Sequence, residues 1–235
     1  NALIFVPAIL AMRIGDPAVL LTLLVALPLV GIMASGTYIL NDLVDLSADR
    51  GHPTKRNRPF ASGRLKLWQG FVAAPLMIAG GLVGGFLLSP SFAATMLSYL
   101  ILTLTYSFWL KRMALADTLA LSFLYTLRLI MGAVLAGVAL STWLMVFSMF
   151  LFVSLSLAKR HVEVLRRTAA GERRVANRGY RAEDAGLTLG LGLATATVSP
   201  LILVLYLIES AWPSGAYQTP EALWVAPAAL AGWLM

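Results

Sequence analysis

The apolar run at residues 18–45 sets the first constraint on this chain. About 20 consecutive apolar residues carry an α-helix across the hydrocarbon core of a bilayer. This run is longer than that, so its last turn or two project beyond the membrane. Seven further apolar runs follow the same pattern, at 1–13, 67–88, 91–110, 114–136, 141–163, 185–209 and 221–235. Only 12% of the residues are charged, where a soluble domain carries about a quarter. A water-soluble globule is excluded. The expected fold is all-α: a polytopic transmembrane bundle with eight helices visible. The first and last runs are short, the chain begins "NALIFVPAIL" without a Met or a charged leader, and it ends inside an apolar run. The sequence therefore reads as one membrane domain, 1–235, cut at both ends. The absence of cysteine excludes disulfides, thiolate metal sites and a cysteine nucleophile.

Lysine and arginine fix the expected orientation. All of them except Arg13 and Arg128 fall in the loops 46–66, 111–113 and 159–184, which follow the even-numbered runs. Such a bias marks the cytoplasmic side, and it accounts for the net charge of +7 without nucleic acid as a partner. Most acidic residues lie on the same side, including Asp42, Asp45, Asp49, Glu163, Glu172, Glu183 and Asp184. A transporter needs polar groups along a path through the bilayer. Polarity gathered at one end favours an enzyme working at the interface, with a lipid transporter or scramblase as the reading from another class. Gly80, Gly81, Gly84 and Gly85 predict a close-packing face, as do Gly186, Gly190 and Gly192.

At the overhanging end of the second run stands "NDLVDLSADRGHPTKRNRPF". Asp42, Asp45 and Asp49 are spaced i, i+3, i+7, so a continuous helix puts them on one face, with Asn41 adjacent. Three neighbouring carboxylates repel one another and oppose the dipole at a helix C-terminus. A hard divalent cation resolves the repulsion, and Mg²⁺ commonly joins a few carboxylates to substrate phosphates. Ordinary surface acids at a solvated helix end are the alternative. The basic loop behind them, with Lys55 and Arg56, suits further phosphates.

"NDLVDLSAD" at 41–49 matches the NDxxDxxxD signature of the UbiA superfamily of intramembrane prenyltransferases, and the resemblance runs over nearly the whole chain. It implies nine transmembrane helices around a cavity open to lipid, and a diphosphate held through Mg²⁺ at two acidic motifs. The second motif departs from that pattern. "LAKRHVEVLRR" at 157–167 has one carboxylate, Glu163, among Lys159, Arg160, Arg166 and Arg167. Glu163 could equally form helix salt bridges with Lys159 or Arg167. A site that loses carboxylates and gains cations suits a more anionic donor. "HPTKRNRP", "YSFWLK", "YTLRLIMGA" and "AKRHVEV" resemble the decaprenyl-phosphate phosphoribosyltransferases, which take phosphoribosyl pyrophosphate and a polyprenyl phosphate. "RGYRAEDAG" at 178–186 looks closest to bacterial proteins in which a phosphatase-like domain of the haloacid dehalogenase type precedes the membrane domain. The resemblance implies a bacterial plasma-membrane enzyme of cell-wall precursor synthesis, with a fused or partner phosphatase-like domain.

Four more residues enter the candidate site. Arg128 lies mid-helix, far from either end of its run, where a charge is costly unless it faces a polar cavity. It is expected to bind a substrate phosphate. Asp117 could cap its helix or line the cavity. Tyr106 and Lys111 resemble the family's Tyr-x-x-x-Lys element with one extra residue between them; interface anchoring and a plain positive-inside role are the alternatives. The expected catalytic and metal-binding residues are thus Asp42, Asp45 and Asp49. Asn41, Lys55, Arg56, Tyr106, Lys111, Asp117, Arg128, Lys159, Arg160 and Glu163 are expected to bind substrate. Within the superfamily, transfer of a polyprenyl group to an aromatic acceptor is the alternative reaction.

Overall fold

A computed structural model of the chain describes residues 1–52, 54–171 and 178–234. Among these the regular structure is helical, with no strand. The helices are α1 (Val6–Leu10), α2 (Pro17–Val44), α3 (Leu46–Arg50), α4 (Leu67–Leu88), α5 (Pro90–Phe108), α6 (Ala116–Ala136), α7 (Thr142–Ala169), α8 (Ala185–Tyr206) and α9 (Val225–Leu234). Six helical stretches are long and apolar enough to cross a membrane: α2, α4, α5, α6, α7 and Ala182–Ala211, which contains α8. The first and last apolar runs of the sequence hold only the short helices α1 and α9. Eight apolar runs thus give six spanning helices among the described residues. The chain is an integral membrane protein.

Local chemistry sets the helix ends. The Asp16 carboxylate accepts from the Ala18 amide at 3.0 Å, with Pro17 in the first helical position. Ser89 caps α5 in the same way, followed by Pro90. Both use a side-chain oxygen to satisfy an orphan amide and a proline where no amide is needed. Gly137 ends α6 in the left-handed conformation. Ser89 alone joins α4 to α5, and a short segment joins α6 to α7. At the other end of the bundle the connections after α2 and α7 are long and rich in charge, and the shorter one after α5 carries Lys111 and Arg112. That end carries the candidate site.

Packing follows chain order. α2 lies along α4, α4 on α5, α5 on α6, α6 on α7 and α7 on α8, while α2 also reaches α5 and α6. α6 is the most enclosed of the spanning helices. It meets the N-terminal segment at Gly132, where a Cβ would collide with the Ile4 carbonyl. Thr126 of α6 and Ser148 of α7 share a buried hydrogen bond of 2.8 Å. Ile4, Leu23, Met33, Phe92, Met96 and Met131 pack together inside.

The predicted glycine face on α4 is partly correct. Gly81 and Gly84 pack on Leu29 and Met33 of α2, and Gly85 packs on Met96 of α5. Gly80 points away from the contact, as do Gly186 and Gly190, while Gly192 only touches Leu157. One helix turn exposes some of a glycine cluster whatever the remainder packs against. Gly81→Leu should therefore destabilise the protein by about 2 kcal/mol through overpacking. Gly80→Leu should stay within about 0.5 kcal/mol of the parent. Thermal unfolding of both variants in detergent distinguishes them, and equal melting temperatures would contradict this packing.

Candidate active site

The acidic motif sits where α2 ends. Asp45 leaves helical geometry at ψ 6°, and the chain re-enters a helix as α3. The hydrogen bonds from Asp45 N to Asn41 O and from Asp49 N to Asp45 O, 2.9 and 2.8 Å, still bridge the break. The three carboxylates remain on one side but do not meet at one point. Asp42 Oδ1 and Asp49 Oδ2 both accept from Arg58 Nη1 at 2.8 Å. Asp45 takes Lys111 Nζ with both oxygens, at 2.7 and 2.9 Å, and Asn41 Oδ1 lies 3.3 Å from the same nitrogen. Lys111 is buried because the turn Leu110–Arg112 tucks it under the end of α2. The extra residue between Tyr106 and Lys111 is absorbed there, since α5 stops at Phe108 and Trp109 leaves the helix.

The expected single cluster of three acids is therefore divided into a pair and a singleton. Among the described residues, no three His, Asp or Glu side chains close around a common metal position. Mg²⁺ does not need such a cage, since it is often held by one or two carboxylates together with water and substrate phosphates. The Asp42–Asp49 pair fits that requirement. Its two oxygens already converge on one cation, and all the donors are hard oxygens. Beside them a cavity of about 350 Å³ is lined by Asp45, Asp49, His52, Lys55, Lys111 and Glu163, among others.

A second polar cluster faces this one and has a different character. Asp117, in the first turn of α6, is fully buried. It accepts from Arg160 Nε at 2.7 Å, from the Tyr180 hydroxyl at 2.6 Å and from Arg178 Nη1 at 3.3 Å. Glu163 accepts from Arg160 Nη1 at 2.5 Å and lies 3.8 Å from Arg178 Nε. Burial pushes the Tyr180 phenol well above its ordinary range, reinforced by the Asp117 carboxylate, so it stays a donor. Its oxygen also accepts from the Leu115 amide at 2.9 Å. Leu115 has a φ of 64°, a strained position for a branched residue that this bond helps to hold. Gly179 lets the segment cross so closely that a Cβ would strike the backbone of Arg112 to Ala114.

Arg128 lies deeper, on α6. It donates to Tyr99 Oη and Leu124 O, both at 2.8 Å, and to Asn1 Oδ1 at 3.1 Å. Its guanidinium stands over the rings of Tyr99 and Tyr125 at 4.9 and 5.2 Å. No carboxylate pairs with it among the described residues. A cavity of about 130 Å³ runs past it, lined by Tyr38, Asn41, Tyr106 and Thr103 among others, so it reaches the acidic motif. The Thr103 hydroxyl there is buried with no hydrogen-bond partner among the described residues.

The candidates from sequence divide accordingly. Asp45, Asp49, Lys55 and Lys111 line one cavity, with Glu163 across it; Asp42 is tied to Asp49 through Arg58, and Asn41 to Asp45 through Lys111. Tyr106 joins the Arg128 cavity and accepts from Arg178 Nη1 at 3.0 Å. Lys159 is exposed at the rim of a larger cation-lined cavity of about 930 Å³. Arg160 lines that cavity too, but Asp117 and Glu163 engage its guanidinium, so it is not an open clamp. Asp117 neither caps α6 alone nor faces an open cavity; it anchors two arginines. Glu163 pairs with Arg160 and Arg178 rather than Lys159. Arg56 is exposed and lines none of these cavities. Glu172, Arg173 and Arg174 of the basic loop lie outside the described residues. Sequence reasoning missed Arg58, Arg178 and Tyr180. The "RGY" at 178–180 carried a signal, because a glycine between a cation and a phenol suits a close crossing.

The chain matches the model of the UbiA prenyltransferase family over residues 2–235. It is 47% identical to the uncharacterised protein y4nM of Sinorhizobium fredii over 100% of this chain and 45% of that protein. It is 36% identical to the decaprenyl-phosphate phosphoribosyltransferase of Mycobacterium tuberculosis over 56% of this chain and 43% of that enzyme. The chain thus spans less than half the length of these two relatives. In fold it is similar to a UbiA homologue from Archaeoglobus fulgidus, solved with Mg²⁺ and either DMAPP or GPP. The TM-scores are 0.80 and 0.77, with 13% identity, over 99% of this chain and 79% or 81% of the homologue.

The buried cluster makes a direct prediction. Asp117→Asn leaves Arg160 and Arg178 without their shared counter-charge and should cost about 3 kcal/mol. A thermal or denaturant melt in detergent measures it. Parent-like stability in that variant would mean that Asp117 does not anchor the second cluster.

Proposed function

The chain belongs to the UbiA prenyltransferase family, and on that premise we propose that it is a membrane transferase moving a 5-phosphoribosyl group from phosphoribosyl pyrophosphate to a polyprenyl phosphate. One observation carries the choice of donor. The acids of the second cluster, Asp117 and Glu163, are engaged by Arg160 and Arg178, so that side presents cations where a second acidic motif would present metal ligands. A diphosphate donor with a further phosphate, and an acceptor that is itself an anion, match this charge better than an uncharged aromatic acceptor. The similarity to the mycobacterial phosphoribosyltransferase supports the same reading.

In this reading the bond from ribose C1 to the diphosphate oxygen breaks, and an oxygen of the lipid phosphate bonds to C1. Pyrophosphate leaves with the bonding electron pair. The Asp42–Asp49 pair, with Asp45 beside it, would hold Mg²⁺, which when bound neutralises charge on the leaving diphosphate. Lys111 fixes the Asp45 carboxylate, and Asn41 sits between that site and the Arg128 cavity. Arg128 supplies an uncompensated positive charge for a substrate phosphate. Lys55 and Lys159 serve the remaining phosphates from the basic side. The acidic site would face the cytoplasm, where most of the lysines and arginines lie.

Transfer of a polyprenyl group to an aromatic acceptor is the second reading, favoured by the fold shared with the homologue solved with DMAPP and GPP. That reaction develops an allylic cation, which aromatic faces would stabilise. Here the Arg128 guanidinium already occupies the faces of Tyr99 and Tyr125.

The deciding assay offers the protein in liposomes two substrate pairs, each with and without Mg²⁺. One pair is phosphoribosyl pyrophosphate with polyprenyl phosphate; the other is polyprenyl diphosphate with an aromatic acceptor. Product from the first pair, abolished by chelation, is expected. Product from the second pair alone would overturn the phosphoribosyl reading. Asp45→Asn should lower turnover at least about 100-fold. Arg128→Gln should raise KM for the lipid phosphate about 10- to 100-fold, the worth of a hydrogen bond to a charged group. An unchanged KM would remove Arg128 from substrate binding.

A further inference from the structure

Two of the protein's own cations already engage the three carboxylates of the acidic motif, and they differ in one respect. Lys111 is buried, 7% exposed at its side chain, and both Asp45 oxygens hold it. It has no route away from its partner without leaving a buried charge behind. Arg58 is 37% exposed and extends from a loop that follows the turn Lys55–Asn57. Of its partners, Asp49 is almost fully buried and Asp42 is fixed on the last turn of α2. If either side of that contact moves, it is the arginine.

We propose that Arg58 is an exchangeable counter-cation: it holds the Asp42–Asp49 pair together until a divalent cation takes its place, and its guanidinium then turns to the phosphates of the donor. The inference rests on the metal-binding part of the reading above. Two carboxylate oxygens lie 2.8 Å from one nitrogen, Arg58 Nη1. They therefore aim at a common point already shaped for a cation. Mg²⁺ binds oxygen at about 2.0–2.1 Å, so a small inward movement of the same two oxygens suffices. Without either cation the two carboxylates would face each other unscreened, one of them buried. Arg58 thereby screens the pair in the metal-free protein and competes with the metal.

The released side chain has a defined destination. Arg58 also lines the cavity of about 930 Å³ that holds Lys55, Lys159, Arg166 and Arg178. That cavity adjoins the one beside Asp45 and Asp49, since His52, Lys55, Glu163 and Arg178 border both. A guanidinium forced in among those cations meets repulsion unless an anion is present. Metal entry and phosphate entry therefore favour each other, because each relieves the charge that the other leaves unbalanced. Arg58 couples the two halves of the site, and this makes it a positioning residue for the metal and a binding residue for the donor.

The test uses the whole protein in detergent, with Mn²⁺ as the metal probe, read by the loss of the free-ion signal in electron paramagnetic resonance. Arg58→Gln should bind Mn²⁺ about tenfold more tightly than the parent, because the competing occupant is gone. The same variant should bind pyrophosphate more weakly when Mn²⁺ is saturating. Arg58→Lys, which keeps a cation, should restore Mn²⁺ affinity towards the parent value. Equal or weaker Mn²⁺ binding by Arg58→Gln would overturn the exchange while leaving the metal site standing. No Mn²⁺ binding by either protein would remove the metal reading and the exchange together. If the glutamine variant does not fold, phenylglyoxal labelling of the parent serves instead. Mn²⁺ should speed modification of Arg58, mapped by mass spectrometry, and pyrophosphate should slow it again. Labelling of Arg58 that Mn²⁺ leaves unchanged or slows would overturn the proposal.

Discussion

A carboxylate with no solvent exposure survives inside a membrane bundle only if charge and hydrogen bonds surround it. Asp117 meets that condition through three partners from two other parts of the chain: Arg160 of α7, and Arg178 and Tyr180 of the segment that follows. The rest of the polar end depends on this contact. It ties the start of α6 to the end of α7. Through Tyr180 and Gly179 it also fixes the turn between α5 and α6 from which Lys111 reaches Asp45. The second cluster is thus a weld that positions part of the first.

The two clusters differ in how their charges are paired and buried. In the second, each acid is matched to guanidiniums at close range, and Arg160 and Asp117 are both buried. Separating Arg160 from Asp117 would leave an unpaired charge in a low-dielectric interior. In the first, one cation is buried and one reaches solvent. That difference in exposure between Lys111 and Arg58 is what the proposed exchange rests on.

How far the sequence was legible depended on the range of the interaction. Helix positions were readable because hydrophobic length is a local property: the runs 67–88 and 114–136 correspond closely to α4 and α6. The i, i+3, i+7 spacing placed Asp42, Asp45 and Asp49 on one side for the same reason. Their division between Arg58 and Lys111 was not readable. Lys111 meets Asp45 across a separation of 66 residues, and Arg178 meets Tyr106 across 72. Glu163 had helical neighbours of the right charge at i−4 and i+4. The structure selects Arg160 at i−3 instead, together with Arg178 from beyond α7. Arg128 was found from its cost alone, but its two tyrosine faces come from its own helix and from α5.

The sequence by itself determined that the protein lies in a membrane, that its charged residues gather at one end, and that three aspartates there are spaced to share a helix side. These follow from composition, run length and helical periodicity, which act within a few residues. Only the tertiary structure decided which cation each acid meets, and how exposed each of those cations is. Such pairings depend on helices and loops far apart in the chain meeting at one end of the bundle, and on how deeply each partner is then buried.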